Sequence, residues 1–172
     1  ISGNYALYGG GMYNTSSSSP TLTNVTISGN RVYYNGGGMH NYGNSSPTLT
    51  GVTFSGNSAG FYGGGIANDS GSHPTIRNSI LWGDSGSEIA DLYQSATTVV
   101  YSIVQGLSTG TGNLNADPLF VTPITAAAPT TTGNLRLLSG SPAFNAGNNS
   151  VTNPSLPDTD LEGARVVAEK IR

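Results

Sequence analysis

The stretch Gly9-Gly10-Gly11-Met12 recurs as Gly36-Gly37-Gly38-Met39 and then as Gly63-Gly64-Gly65-Ile66. The motif starts at positions 9, 36 and 63, so its step is 27 residues. Other positions keep the same step: Pro20, Pro47 and Pro74; Leu22, Leu49 and Ile76; Ile27, Phe54 and Leu81. Because glycines, prolines and apolar residues share one period, the sequence predicts a chain built from stacked coils of about 27 residues.

Each repeat is predicted to contain three short strands. In the second repeat these are Gly38-Met39-His40-Asn41, Thr48-Leu49-Thr50 and Val52-Thr53-Phe54-Ser55. Apolar and polar residues alternate in each segment, which is the two-residue period of a strand with one buried face. One repeat cannot bury its apolar face alone, but stacked repeats can. The predicted fold is therefore an all-β, right-handed parallel β-helix, a solenoid whose coils stack about 4.8 Å apart.

Stacking places residues of equal repeat offset in columns along the solenoid. Three apolar columns are predicted to form the core: Met12, Met39 and Ile66; Leu22, Leu49 and Ile76; Ile27, Phe54 and Leu81. A fourth column is polar and consists of Asn4, Asn30, Asn57 and Asp84. Because an asparagine amide both donates and accepts hydrogen bonds, this column predicts an asparagine ladder between coils rather than a binding site.

The repeat pattern divides the chain into two regions. Residues 1–106 form β-helix coils, and the segments 88–91 and 98–104 supply a shortened fourth coil. Residues 107–172 are predicted to form a last irregular coil and a loop-rich C-terminal cap or tail, which would cover the open edge of the last coil. The chain opens on Ile1-Ser2-Gly3-Asn4, which matches mid-repeat residues 27–30, so we expect earlier coils to be missing from it.

Composition excludes several classes of function. Only 9% of the 172 residues are charged, the net charge is −3 and Lys170 is the single lysine, so no basic patch is available for nucleic acid. The lack of cysteine excludes disulfides and thiolate metal sites. No run of about 18 apolar residues occurs, so no membrane insertion by this segment is predicted.

The repeats carry a family resemblance. The Gly-Gly-Gly-Met/Ile motif, together with Phe54-Ser55-Gly56-Asn57, resembles the paired GGA[I/L/V/M] and FxxN signatures of polymorphic outer membrane protein repeats. Those repeats form bacterial surface β-helices associated with adhesion. The resemblance implies a β-helix fold and a role at the cell surface.

The later half resembles a second group. The segments that carry this resemblance are Ala116-Asp117-Pro118-Leu119-Phe120, Leu135-Arg136-Leu137, 141–147 and 158–165. In that order they are similar to the C-terminal region of choice-of-anchor β-helix proteins, which are large secreted or cell-surface bacterial proteins. The match departs after Arg165, where the strand typical of such proteins is absent, and this leaves the anchoring mode open. The resemblance implies an extracellular or cell-surface location.

A candidate metal site lies near the C-terminus. Asp158, Asp160, Glu162 and Glu169 have the spacing of an oxygen-rich calcium loop. Carboxylates at alternate positions can converge on one hard cation, so a structural calcium ion is one interpretation. The alternative is a capping turn in which Arg165 pairs with an acid, because no helix precedes the loop. No other cofactor is predicted.

No catalytic residue is predicted. Polysaccharide hydrolysis needs two carboxyls that face each other across the sugar bond, and β-elimination needs a base beside a charge stabiliser. The regular coils contain four charged residues: Arg31, Arg77, Asp69 and Asp84. Their repeat offsets differ, so they should point in different directions. A smaller acidic group, Asp84, Glu88 and Asp91, is predicted to be solvated rather than ligating.

Aromatic residues collect at the corner that precedes the glycines. Tyr33, Tyr34, Phe61 and Tyr62 lie there, and Tyr8 takes the matching place in the first coil. Exposed aromatic stacks bind sugar faces or pack against other subunits. The alternative is that one of the two columns faces inward and belongs to the core.

Threonines form a further regular feature. Thr21-Leu22-Thr23 and Thr48-Leu49-Thr50 are predicted to stack as outward Thr-x-Thr rungs, and Arg77 interrupts the third rung. Flat threonine arrays resemble those of ice-binding β-helices. The strand preference of threonine explains the same pattern without a ligand.

These features together predict a non-enzymatic extracellular structural or adhesive module. Within that class we favour a subunit of a cell-surface layer, sheath or filament, in which aromatic and Ser/Thr faces make contacts between subunits. The alternatives are an adhesin or glycan-binding module, a fragment of a polysaccharide lyase or hydrolase whose groove lies in missing coils, and an ice-binding protein. A fold alone does not choose among them.

Overall fold

The computed structural model describes residues 1–107, 109–127 and 129–148 and forms a solenoid of about four coils. All strand pairs between coils are parallel. No helix in the described ranges is long and apolar enough to cross a membrane. The predicted β-helix, with coils of about 27 residues and three strands per coil, is confirmed.

Three four-stranded sheets run along the solenoid axis, one for each predicted strand. Sheet 1 consists of β2 (Met12–Asn14), β6 (Met39–Tyr42), β10 (Ile66–Asp69) and β13 (Ile89–Asp91). Sheet 2 consists of β3 (Thr21–Thr23), β7 (Thr48–Thr50), β11 (Thr75–Arg77) and β14 (Thr98–Val100). Sheet 3 consists of β4 (Thr26–Ser28), β8 (Thr53–Ser55), β12 (Ile80–Leu81) and β15 (Ile103–Val104).

The structure adds a fourth, narrow sheet that the sequence pattern did not predict. Sheet 4 consists of β1 (Tyr5–Ala6), β5 (Arg31–Val32) and β9 (Ser58–Ala59). Its strands have two residues each, too few for an alternating pattern to be visible. Sheet 4 lies between the third strand of one coil and the glycines of the next, so it leads the chain into the aromatic corner.

The register follows the repeat and then shortens. Met12 pairs with Met39 and Met39 with Ile66, each 27 residues apart. Ile66 pairs with Ile89, a step of 23 residues. Asp84 still receives its bonds from Asn57 at the full step of 27, so the four residues are lost between positions 84 and 89. Coil four therefore lacks most of the corner that carries glycines and aromatics in the other coils.

The three predicted apolar columns form the core. The following side chains are buried in one cluster: Leu22, Ile27, Met39, Leu49, Val52, Phe54, Ile66, Ile76, Leu81 and Val104. Met12, Val25, Ile89, Val99 and Leu107 pack against this cluster while partly exposed. The exposed members lie in coils one and four, because only a coil with neighbours on both sides is fully covered.

The three glycines of each motif have different structural tasks. Gly36 has a φ of +71°, a left-handed conformation that favours glycine. A Cβ on Gly37 would run into the carbonyl oxygen of Gly64 in the next coil. A Cβ on Gly38 would lie 2.6 Å from Cδ1 of Phe54. The motif is therefore needed for one turn and for two close approaches between coils.

The predicted asparagine ladder is present. The Nδ2 of Asn4 donates to Oδ1 of Asn30, Asn30 donates in the same way to Asn57, and Asn57 donates to Oδ1 of Asp84, each at 2.9 Å. The backbone N–H groups of the same residues donate to the same oxygens. Since Asn30, Asn57 and Asp84 are buried, these bonds satisfy groups that water cannot reach.

A second amide ladder was not predicted from the sequence. Asn14 donates to Asn41, Asn41 to Asn68, and Asn68 to Oδ1 of Asp91, each at 2.8 Å. The 27-residue spacing of the three asparagines was visible in the sequence. Both ladders end on an aspartate in coil four, which has no amide hydrogen to pass on.

The chain after coil four runs back beside the coils. β16 (Phe120–Thr122) and β17 (Asn134–Leu137) form an antiparallel pair. Phe120 and Ala143 pack against Ile80 and Ile103, which follow the outer face of sheet 3. These contacts make a second, smaller core on the side of the solenoid.

This return segment reaches the first coils. The N–H of Thr130 donates to the carbonyl of Gly29 at 2.8 Å, and Nη1 of Arg31 donates to the carbonyl of Ala127 at 3.2 Å. The described part of 107–172 thus lies along the side of the coils. The cap that we predict for the end of the chain falls partly on 149–172, outside the described residues, and stays a prediction.

Candidate functional site

The aromatic corner of the first three coils is an exposed surface, which we call the aromatic ledge. It consists of Tyr8, Tyr13, Tyr33, Tyr34, Tyr42, Phe61 and Tyr62, all of them exposed. The structure places both predicted columns outside the core, so the inward-facing alternative is wrong. Tyr13 and Tyr42 were not among the predicted contact residues, although Tyr13 has the same repeat offset as His40.

The ledge is positioned by backbone bonds between coils. The N–H of Tyr33 donates to the carbonyl of Ala6, and the N–H of Tyr34 donates to the carbonyl of Leu7. The N–H of Phe61 donates to the carbonyl of Tyr34 at 3.0 Å. Because each coil fixes the backbone of the next, the aromatic side chains start from positions one coil spacing apart.

Three rings stack along the axis. The centroids of Tyr8 and Tyr34 lie 4.8 Å apart, and those of Tyr34 and Phe61 lie 5.9 Å apart, with an interplanar angle of 17° in both pairs. Tyr33 meets the edge of Tyr34 at 4.8 Å and 81°. Stacked and edge-on pairs of this kind each stabilise by about 0.5–1.5 kcal/mol beyond area burial. The ledge therefore combines a rigid stack with rings, such as Tyr62, for which no ring contact occurs among the described residues.

His40 lies under the ledge. Its ring stacks on Tyr8 at 5.4 Å and on Tyr13 at 5.3 Å, and it is only 2% exposed. Neither ring nitrogen has a hydrogen-bond partner. Burial lowers the pKa of His40, and the nearby charge of Asp69 opposes that shift. His40 is thus a neutral aromatic support for the ledge rather than an acid or base.

The acidic group at coil four differs from the expectation. Asp84 and Glu88 are buried, at 8% and 4% exposure, and only Asp91 is exposed. The prediction that this group is solvated is wrong for the first two. The cause is the four-residue shortening, which puts Glu88 directly before Ile89 as Gly65 is directly before Ile66. No coil covers this position, so a side chain fits where glycine is needed elsewhere.

The two buried carboxyls perturb each other. Burial raises the pKa of Asp84 well above its ordinary value, and the charge of Glu88 adds to this effect. Burial also raises the pKa of Glu88, while hydrogen bonds from Asp84 and Gly83 oppose that shift. Both residues end the first asparagine ladder, so their first task is structural.

A pocket of about 560 Å³ opens at the end of the solenoid beyond coil four. The residues that line it include Glu88, Ile89, Asp91, Val99, Val104 and Leu107. Ile89, Val99 and Val104 are the last members of the three core columns, so this pocket is the uncovered end of the core. Asp91 is already engaged, because it accepts bonds from Asn68 and Thr97.

The threonine rungs are aligned as predicted. Thr21, Thr48, Thr75 and Thr98 pair in one register along sheet 2. In the second column Arg77 follows Thr50, and its Nε donates to Oγ1 of Thr50 at 3.1 Å. This contact ties the arginine to the rung below it and interrupts the threonine array.

The predicted calcium ligands Asp158, Asp160, Glu162 and Glu169 lie outside the described residues, so the calcium site stays a prediction. Within the described ranges, no group of three or more His, Asp or Glu side chains could hold a metal ion.

One comparison identifies the family of the chain. A family model described as "Right handed beta helix region" matches residues 1–118. The comparisons with curated proteins and with solved structures give no match. The family match and the parallel coils agree on the fold, and the matched segment covers well over half of the 172 residues. The chain therefore belongs to the right-handed beta helix family.

Proposed function

We propose that this chain is a non-catalytic, extracellular structural or adhesive module, and that the aromatic ledge is its contact surface. Membership of the right-handed beta helix family is consistent with a surface or structural module. The observation that carries the proposal is the concentration of seven exposed aromatic rings at one corner of three consecutive coils. Isolated exposed aromatics are common, but a contiguous group of them marks an interaction surface.

The mode of contact that we favour is association with further subunits in a cell-surface layer, sheath or filament. The ledge is rigid, because its rings start from paired backbone positions and stack on one another. Tyrosine is favoured at protein interfaces, since it buries apolar area and its hydroxyl still forms a hydrogen bond. The resemblance to bacterial surface β-helices supports the extracellular location.

A glycan-binding adhesin is the second candidate. Tyr33 and Tyr62 support it, because they are 56% and 54% exposed and neither belongs to the axial stack of Tyr8, Tyr34 and Phe61. A sugar ring could pack on such a side chain, whereas the faces within the stack are covered by neighbouring rings. Ice binding and polysaccharide cleavage have no comparable surface among the described residues.

Association of the full chain and of a Tyr62→Ser variant tests the leading proposal. Tyr62 has no ring contact in the described structure, so the substitution should leave stability unchanged. We expect the wild type to form larger assemblies as its concentration rises, in sedimentation velocity and in electron micrographs, and the variant to need at least a several-fold higher concentration. Tyr93→Ser is the matched control, because Tyr93 is 77% exposed but lies in coil four, away from the ledge.

The alternatives have distinct results. Monomers at all concentrations, together with saturable binding to one glycan that Tyr62→Ser weakens, would favour the adhesin. An equal effect of Tyr62→Ser and Tyr93→Ser on assembly would overturn the assignment of the ledge as the contact surface.

A further inference from the structure

The first asparagine ladder has a polarity that identifies how it ends. In each coil the backbone N–H of the ladder residue donates to the side-chain oxygen of the next: Asn30 to Asn57 at 3.1 Å, then Asn57 to Asp84 at 2.5 Å. The N–H of Asp84 donates to Oε1 of Glu88 at 3.1 Å. Glu88 thus supplies, from within coil four, the acceptor that a fifth rung would have supplied.

The remaining oxygens of the two acids face the same confined place. Oδ2 of Asp84 and Oε2 of Glu88 are buried and have no hydrogen-bond partner. A Cβ built on Gly65 would lie 2.8 Å from the first and 3.4 Å from the second, so both crowd against the same glycine. In an asparagine rung, the atom at the place of Asp84 Oδ2 is a nitrogen that donates to the next acceptor.

No positive charge compensates the pair. The groups that act on Asp84 are the charge of Glu88 and the neutral amide of Asn57, and those that act on Glu88 are Asp84 and the backbone of Gly83. Two carboxylates without water or a cation would leave two buried charges in repulsion. One proton between them removes a charge and gives both orphaned oxygens a partner.

We propose that Asp84 and Glu88 together hold one proton, with the Asp84 carboxylic acid donating to the Glu88 carboxylate, and that this proton closes the ladder. It takes the place of the Nδ2 hydrogen of an asparagine. A base in solvent removes it as the pH rises, and the two resulting carboxylates separate. Coil four is then held less tightly to coil three, so the end of the solenoid loosens at high pH.

The sign of the pH dependence follows from proton counting. In the unfolded chain both acids titrate near pH ~4. Above that pH the folded chain retains a proton that the unfolded chain has lost, so stability falls as pH rises until the pair deprotonates. For one proton in a chain of this size, the melting temperature should fall by about 3–5 °C per pH unit in that window.

Melting temperatures of the full chain between pH 5 and 9 should be compared with those of Asp84→Asn. The amide of asparagine keeps its hydrogens at every pH, so the variant should lose the slope while its ladder stays closed. The difference between the two proteins also cancels the titration of His40, which both contain. Asp91→Asn is the control, since Asp91 ends the other ladder at an exposed position and should leave the slope unchanged.

Carbon NMR of the Asp84 and Glu88 carboxyls in the wild type provides a readout that does not depend on the variant. We expect one of the two to remain protonated well above pH 5. Hydrogen exchange in residues 83–107 should accelerate at high pH more than exchange in coil two, after correction for the intrinsic rate. If both carboxyls titrate near pH 4, or if Asp84→Asn keeps the wild-type slope, the shared proton is wrong.

Discussion

Removal of one amide from the middle of the first ladder should cost far more than removal of one from its start. Asn57→Ala deletes a side chain that makes four hydrogen bonds. Its Oδ1 accepts from the N–H of Asn30 at 3.1 Å and from Nδ2 of Asn30 at 2.9 Å. Its Nδ2 donates to the carbonyl of Ile27 at 3.0 Å and to Oδ1 of Asp84 at 2.9 Å.

The cost depends on which partners are left without a replacement. The N–H of Asn30 is buried and loses the acceptor that Asn57 provides, which costs about 1–3 kcal/mol. Nδ2 of Asn30 keeps the carbonyl of Ile1, and Asp84 keeps the N–H of residue 57, so the other three bonds cost only about 0.5–1.5 kcal/mol each. The sum is about 3–6 kcal/mol, a large share of the stability of a typical domain.

Asn4→Ala is the matched control. Asn4 is exposed, and its side chain donates one bond in the ladder, to Oδ1 of Asn30. That oxygen keeps the backbone N–H of residue 4. We therefore expect the control to lose about 0.5–1.5 kcal/mol.

Urea denaturation followed by circular dichroism measures both variants, with the free energy of unfolding extrapolated to water and the slope checked against the wild type. Costs for the two variants within about 1 kcal/mol of each other would refute the reasoning, because burial and orphaned donors would then have no special weight. A changed slope would indicate that coils unfold separately, which is itself measurable by hydrogen exchange.

Two further predictions follow from close packing and burial. Gly38→Ala should destabilise the chain by about 1–3 kcal/mol, because its Cβ would lie 2.6 Å from Phe54. A double-mutant cycle with Phe54→Leu should recover at least about 0.5 kcal/mol of that cost, and additive effects would contradict the steric explanation. For His40, burial depresses the pKa, so stability is present above pH ~6.5 and falls as the pH drops towards the folded pKa. Proton NMR of the imidazole should show a pKa below 6.5, His40→Phe should remove this acid sensitivity, and titration at or above 6.5 would exclude a desolvated ring.

The sequence predicted most of the fold because neighbours in a solenoid are separated by a constant number of residues. Met12, Met39 and Ile66 share an offset, so their contact is written in the period itself. The same holds for the ladder through Asn30 and Asn57. The ledge was found in part, since the positions of Tyr33 and Phe61 are periodic, but whether they face inward or outward depends on the local path of the corner.

The end of the solenoid was not predictable in the same way. The loss of four residues between Asp84 and Ile89 breaks the period, and from that point equal offsets no longer identify neighbours. The sequence indicated a shortened coil, yet it could not show that Glu88 takes the place of a glycine and reaches Asp84. That contact exists only because no further coil covers the position.

The sequence by itself thus determined the β-helix, its core columns and one amide ladder, because these follow from a repeat and from the pairing of like residues. Only the tertiary structure decided that Asp84 and Glu88 are buried together, that His40 supports the ledge, and that Phe120 packs on the side of the coils. Each of these is a contact between residues of unequal offset. Such contacts depend on the path of the folded chain, and a repeat carries no information about them.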